Sequence, residues 1–283
     1  MSRTFDRRSF LRRSATAAAG LSLSAAAARF AKAAQAAGYP VGLQIYSLRG
    51  FSVDDALMHC HDLGVSNVEF YPGMYDPKST AEQIAAMNDK MEGLGIRASA
   101  HGVNRLSKDH EANKRLFQFA KAAGIKNLTA DPDPDSFESL DSLVKEFDIR
   151  VAIHNHGPRH RYNKVVDTLR AIEKHDERIG ACADLGHYIR SGEKPEDVIH
   201  ALKGRLYGIH LKDFAEMQDK THGVILGKGH MNVERTFAAL KDVNFPEDGA
   251  LSLEYEENPK DPIADIRECL LVARTAAAKV AGA

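Results

Sequence analysis

Gly180-Ala181-Cys182-Ala183-Asp184 and Leu206-Tyr207-Gly208-Ile209-His210 are two short apolar runs, and each closes on a side chain able to ligate a metal. Between them, Lys194–Leu202 carries apolar residues at helical spacing. A short apolar run, a helix and a second short run read as two parallel strands joined by a crossover. The alternation continues upstream through strand candidates Val41–Tyr46, Asn67–Phe70, Ile96–Ala100, Asn127–Ala130 and Arg150–His154, and downstream to Ala250–Glu254. Helix candidates fill the gaps: Val53–Leu63, Ala81–Leu94, His110–Ala123, Phe137–Phe147, Val165–His175, Val233–Val243 and a closing helix from Pro262 to Lys279.

Eight repeats of one βα unit predict an α/β fold, a single (β/α)8 barrel. An open doubly wound sheet is the rival, but its first strand leads into a glycine-rich phosphate turn. Gln44-Ile45-Tyr46-Ser47-Leu48-Arg49 contains no glycine, and Gly227-Lys228-Gly229 comes late and reads as a turn. No Pro/Ser-rich linker divides residues 37–283, and their length is close to the roughly 250 residues typical of such a barrel. They are therefore expected to form one domain.

Residues 1–36 stand apart. Asp6-Arg7-Arg8-Ser9-Phe10-Leu11-Arg12 precedes an Ala-rich run from Ala15 to Ala28 and small-residue sites around Ala31-Lys32-Ala33 and Ala34-Gln35-Ala36. This segment resembles a twin-arginine signal peptide. The resemblance implies the twin-arginine export machinery as a partner, folding before export, and a periplasmic or secreted location. Spanning a bilayer takes about 20 strongly apolar residues, more than this weakly apolar run supplies, so no stable membrane anchor is expected.

A net charge of −1 over 283 residues, with Lys and Arg dispersed, gives no basic stripe and so no footprint for nucleic acid. A small-molecule partner is the expectation. Cys60, Cys182 and Cys269 are odd in number and far apart, which argues against a disulfide framework or a cysteine zinc site. The oligomeric state is left open, a homo-oligomer included.

Polar side chains collect at the carboxyl ends of the strand candidates, where barrel enzymes build their sites. Strand two ends at Glu69, strand three at His101, strand five at His154-Asn155-His156, and strand six at Asp184 with His187 beyond. Strand seven ends at His210 with Lys212-Asp213, and strand eight at Glu254. Carboxylates and imidazoles crowded into one mouth need a positive partner, which a divalent cation supplies. One strand-end histidine taken alone is usually structural. His154, Asp184, His210 and Glu254, one from each of four successive strands, form instead a mixed nitrogen and oxygen set. Such a set suits manganese, cobalt, zinc, iron or magnesium better than calcium.

These residues resemble the xylose isomerase-like barrels, a family of sugar epimerases, isomerases, dehydratases and endonuclease IV-type enzymes. The resemblance spans the mature chain and rests on Val68-Glu69-Phe70, Ala183-Asp184-Leu185-Gly186-His187, Gly208-Ile209-His210-Leu211-Lys212-Asp213, Gly227-Lys228-Gly229 and Leu253-Glu254-Tyr255. It implies one divalent metal on His154, Asp184, His210 and Glu254. His154 departs from the pattern, because the sugar epimerases carry there a glutamate that is both ligand and acid/base.

The expected chemistry is isomerisation or epimerisation of a carbohydrate by proton abstraction next to a carbonyl, through a metal-stabilised enediolate. Glu254 is the expected base, Lys212 the group that neutralises or protonates a substrate oxygen, and His154 a third catalytic candidate. Glu69, His101, His156, His187 and Lys212 are candidates for substrate contacts. Metal-dependent lyase, hydratase or hydrolase action on 3-keto-sugars, glycosides or cyclitols is the alternative, since elimination proceeds with one strong base. The long polar connection Phe214–His230 reads as a lid or an insertion.

Overall fold

The computed structural model describes residues 39–282. Residues 1–36, which resemble a twin-arginine signal peptide, therefore lie outside the described residues. Eight parallel strands close into a barrel: β1 (Gly42–Gln44), β2 (Asn67–Phe70), β3 (Arg97–Leu106), β4 (Asn127–Pro132), β5 (Arg150–His154), β6 (Ile179–Asp184), β7 (Leu206–Leu211) and β10 (Ala250–Leu253). β1 pairs with both β2 and β10, which completes the ring. The (β/α)8 architecture read from the sequence is the one observed.

Outside the ring lie α1 (Val53–Asp62), α2 (Ala81–Gly93), α3 (His110–Ala122), α4 (Phe137–Phe147), α5 (Val165–Ile172), α6 (Leu185–Arg190), α7 (Pro195–Ala201), α8 (Val233–Asp242) and α9 (Ile263–Ala281). Their starts follow from side chains that satisfy free N–H groups: Ser52, Asp109 and Asn232 each accept one, and Thr80 with Gln83 forms a reciprocal capping box. Their ends repeat one device. Gly64 and Gly95 take positive φ, and the next residue's N–H turns back onto the helix, Val65 to Cys60 O and Ile96 to Met91 O. Asn244 does the same after α8, with Phe245 N donating to Leu240 O. The chain is thereby aimed into the next strand. No helix among the described residues is long and apolar enough to cross a membrane.

The main departures from the sequence reading are two strand ends and two added elements. β1 stops at Gln44 because the Gln44 side chain accepts Tyr46 N–H and starts a 3-10 turn over Ile45–Leu48. β3 runs on to Leu106 because Asn104, Arg105 and Leu106 keep pairing with β4 past a register shift. A helix absent from the sequence reading, α6, begins directly at Leu185, capped by Asp184. The connection after β7 holds an antiparallel pair, β8 (Asp213–Phe214) and β9 (Gly223–Val224).

Candidate metal centre at the carboxyl end of the barrel

Asp184 shows how the fold aims a ligand. Its Oδ1 caps α6 by accepting His187 N–H at 2.7 Å, and its backbone is locked by Asn155, which donates to Asp184 O at 3.0 Å and accepts Asp184 N–H at 2.7 Å. With one oxygen spent on the helix, Oδ2 points inward, buried and without a hydrogen bond. His210 is aimed from its other side. Its Nε2 lies 3.0 Å from Glu69 Oε2, and Glu69 also accepts from Thr129 Oγ1 at 2.6 Å and Ser252 Oγ at 2.8 Å. An imidazole that donates through Nε2 turns the Nδ1 lone pair to the opposite side.

That lone pair faces the same point. His210 Nδ1 lies 3.1 Å from Glu254 Oε2, 3.8 Å from Asp184 Oδ2 and 3.1 Å from His154 Nε2. His154 Nε2 is 3.6 Å from Asp184 Oδ2. One ligand atom from each of His154, Asp184, His210 and Glu254 lies within 4.8 Å of every other, and all four residues are buried. Buried oxygens of Asp184 and Glu254 without hydrogen bonds, opposed by two imidazole nitrogens, fit a divalent cation.

A second cluster, Glu69, Cys182 and His210, satisfies the same distance limit but does not fit. Glu69 already holds three donors, and burial raises the Cys182 thiol, which disfavours the thiolate a metal requires.

Lys212 completes the charge pattern. Its Nζ sits 3.1 Å from Asp184 Oδ2, 2.7 Å from Glu254 Oε2 and 2.5 Å from Glu256 Oε1. Burial lowers this ammonium, but Asp184, Glu254 and Glu256 outweigh it and hold it well above the ordinary lysine value. Burial likewise raises the Asp184 and Glu254 carboxyls. His187 and Lys212 beside Asp184, and Lys212 and His210 beside Glu254, more than reverse that, so both remain anionic. Burial lowers His210, yet Cys182, Glu69, Glu254 and Asp184 bring it well above the usual histidine value, so its Nδ1 must release a proton before it can ligate a cation.

The remaining sequence candidates divide. His156 and His187 line the cluster, with ring centroids 4.7 Å and 6.0 Å from that of His154. Burial and the imidazoles of His154, His160 and His187 push His156 down to about 3; burial, helped by Lys212 and His154, takes His187 down to about 3 despite Asp184. Both are neutral at pH 7. Glu69 and His101, assigned to substrate contacts from sequence, are fully buried within the protein's own network. His101 Nε2 donates to Tyr75 O at 2.9 Å while its Nδ1 accepts from Asn104 at 3.1 Å, so both ring nitrogens are engaged.

Sequence reasoning missed Asn155, Thr129, Ser252, Glu256 and the role of Gly186, where an added Cβ would lie 2.6 Å from Lys212 Cγ. It also missed that Asp213 anchors the long connection, accepting N–H groups from Phe214, Gly227, Gly229 and Met231. Gly186 lay inside a quoted motif and Asn155 between two candidate histidines; Thr129, Ser252 and Glu256 carried no local signal.

The profile of the xylose isomerase-like TIM barrel family matches residues 52–273. The chain belongs to that family. Among solved structures, this xylose isomerase-like barrel is similar to a protein from Parabacteroides distasonis at 27% identity, covering 83% of this chain and 97% of the other with a TM-score of 0.65. It also resembles 3-keto-D-glucoside 4-epimerase from E. coli at 16% identity, coverage 83% and 99%, TM-score 0.67. A third relative in fold, described as the probable 3-DHS dehydratase involved in petrobactin synthesis from Bacillus anthracis, matches at 15% identity, coverage 82% and 98%, TM-score 0.64. The latter two likenesses establish fold alone. A search of curated protein sequences finds no match.

Proposed function

We propose that this barrel is a metal-dependent isomerase or epimerase of a sugar, with His154, Asp184, His210 and Glu254 holding one divalent cation. The observation that carries the reading is the convergence of these four buried side chains, one ligand atom from each within 4.8 Å of every other. A cation bound there supplies Lewis acidity to neighbouring substrate oxygens. Glu254, held anionic beside Lys212, accepts the proton from the carbon next to the carbonyl. Lys212, held as an ammonium by three carboxylates, stands against the charge that develops on the oxygen. Neutral His156 and His187 offer ring nitrogens to substrate hydroxyls. Glu69 and His101 act through the side chains they hold.

One observation favours a second reading, a lyase acting on a 3-keto-sugar, glycoside or cyclitol. His154 stands where the epimerases carry a second acid/base glutamate, leaving Glu254 as base and Lys212 as the charged proton donor. That asymmetric pair suits removal of a proton and departure of a protonated oxygen. Incubation of the manganese-loaded protein with sugars and 3-keto-sugars in deuterated water separates the two. Deuterium on an unchanged skeleton supports isomerisation or epimerisation; a new double bond or a released aglycone supports elimination. A protein that takes up no metal on reconstitution sinks both. Export through the Arg7-Arg8 segment belongs to the same proposal and is checked by cell fractionation of the Arg7→Lys/Arg8→Lys double variant.

A further inference from the structure

Four large apolar side chains among the described residues are more than a third exposed: Tyr46, Met58, Val166 and Leu271. The last three lie on the outer helices α1, α5 and α9. Tyr46 lies at the carboxyl ends of the strands, on the face that carries the metal cluster. Register explains its neighbour. Gln44 of β1 pairs with Glu69 of β2, so Tyr46 and Tyr71, each two residues further on, emerge side by side. Their rings meet edge to face, with centroids 5.2 Å apart and planes at 87°.

Arg49 fixes this pair to the reacting centre. Its guanidinium lies 4.6 Å from the Tyr46 ring centroid, its Nη1 donates to Tyr46 O at 3.1 Å and its Nη2 to Glu256 O at 2.7 Å. The Glu256 carboxylate in turn holds Lys212. Tyr46, Arg49, Glu256 and Lys212 thus form one continuous wall from an open aromatic surface to the carboxylates of Asp184 and Glu254. Arg49 covers part of the Tyr46 ring, and the 37% of the residue left exposed offers an apolar surface of the kind that the C–H face of a pyranose covers.

We propose that Tyr46, backed by Tyr71 and Arg49, is the platform for a second, non-reacting sugar ring, so that the substrate is a glycoside larger than a monosaccharide. This rests on the carbohydrate reading above. Arg49, Glu256 and Lys212 link the ring pair to Glu254 by successive contacts, and the pyranose over Tyr46 is assigned to a ring other than the one that loses a proton.

The test is calorimetric titration of the manganese-loaded, full-length protein with glucose, maltose, their 3-keto derivatives and p-nitrophenyl glucoside, comparing the native chain with Tyr46→Ala and Tyr46→Phe. Loss of one stacking contact should weaken the disaccharides about three- to tenfold in Tyr46→Ala. Monosaccharide affinity should stay within about twofold. Tyr46→Phe, which keeps the ring, should bind as the native chain does, and melting curves verify that both variants fold. Disaccharides bound by the native chain but indifferent to Tyr46→Ala, or weakened no more than monosaccharides, overturn the platform and leave the carbohydrate reading standing. An effect confined to p-nitrophenyl glucoside overturns the sugar-ring occupant in favour of an aromatic aglycone. A native chain that takes up manganese but none of these carbohydrates overturns both.

Discussion

The two ends of the barrel carry polar side chains to opposite purposes. At the amino end lies a cavity of about 1050 Å³, lined by Asn67, Arg97, Asn127, Lys126 and Asp248 among others. Its polar groups mostly tie chain to chain: Arg97 Nε donates to Asn67 Oδ1, Asn127 Nδ2 to Ser99 O and Asp248 O, and Arg150 pairs with Asp248 at 2.7 Å. At the carboxyl end the charges are buried and crowded, with Lys212 shared among three carboxylates and two imidazoles set against the same oxygens. Open volume marks the first end, and buried, crowded charge marks the second. The second is the better guide, because burying charges without full pairing costs stability and persists only where something is gained from it.

Substitutions can break that contrast, and the largest effect is expected at the base. Glu254→Gln should lower kcat by about a thousandfold, within the usual range for loss of a general base, with the fold preserved by circular dichroism. Full activity in that variant would remove Glu254 from the proposal. Glu69→Gln removes the anionic partner of His210 and leaves one amide oxygen for the three donors His210, Thr129 and Ser252. Metal affinity measured by titration should fall about ten- to hundredfold. Unchanged affinity would mean that His210 is aimed by packing alone.

A smaller loss is expected from Gly186→Ala, whose Cβ would collide with Lys212 and Phe214. Turnover should drop by roughly tenfold or more as Lys212 shifts, while cation binding stays near the native value. Loss of both together would place Lys212 among the determinants of the metal site. The smallest effect belongs to the amino end. Asp248→Asn removes the half-exposed partner of Arg150 and should shift melting by no more than a few degrees, with turnover unchanged. A turnover defect there would erase the distinction between the two ends.

The strand ends were legible because a parallel strand buried on both faces is a nearly continuous apolar run, as in fully buried β6, and a polar residue closing it stands out. His154, Asp184, His210 and Glu254 were legible together for the same reason. Glu69 and His101 carried the same signal but point into the barrel, where Thr129, Ser252, Tyr75 and Asn104 hold them. A strand's alternation gives a side chain's face to within one residue, whereas the partner it meets there depends on register with other strands. β3 illustrates the limit, since its register shift between His101 and Asn104 follows from pairing with β4 and has no local mark.

The sequence by itself determined the eightfold alternation, the barrel and the four side chains that ring its carboxyl mouth, since periodicity and strand-end polarity are properties of neighbouring residues. Only the tertiary structure decided which nitrogen of His210 faces inward, that Asp184 divides its oxygens between a helix and the cluster, and that Tyr46 stands beside Tyr71. Those facts depend on contacts between residues up to 141 positions apart, such as His210 with Glu69, which chain closure alone brings within hydrogen-bonding distance.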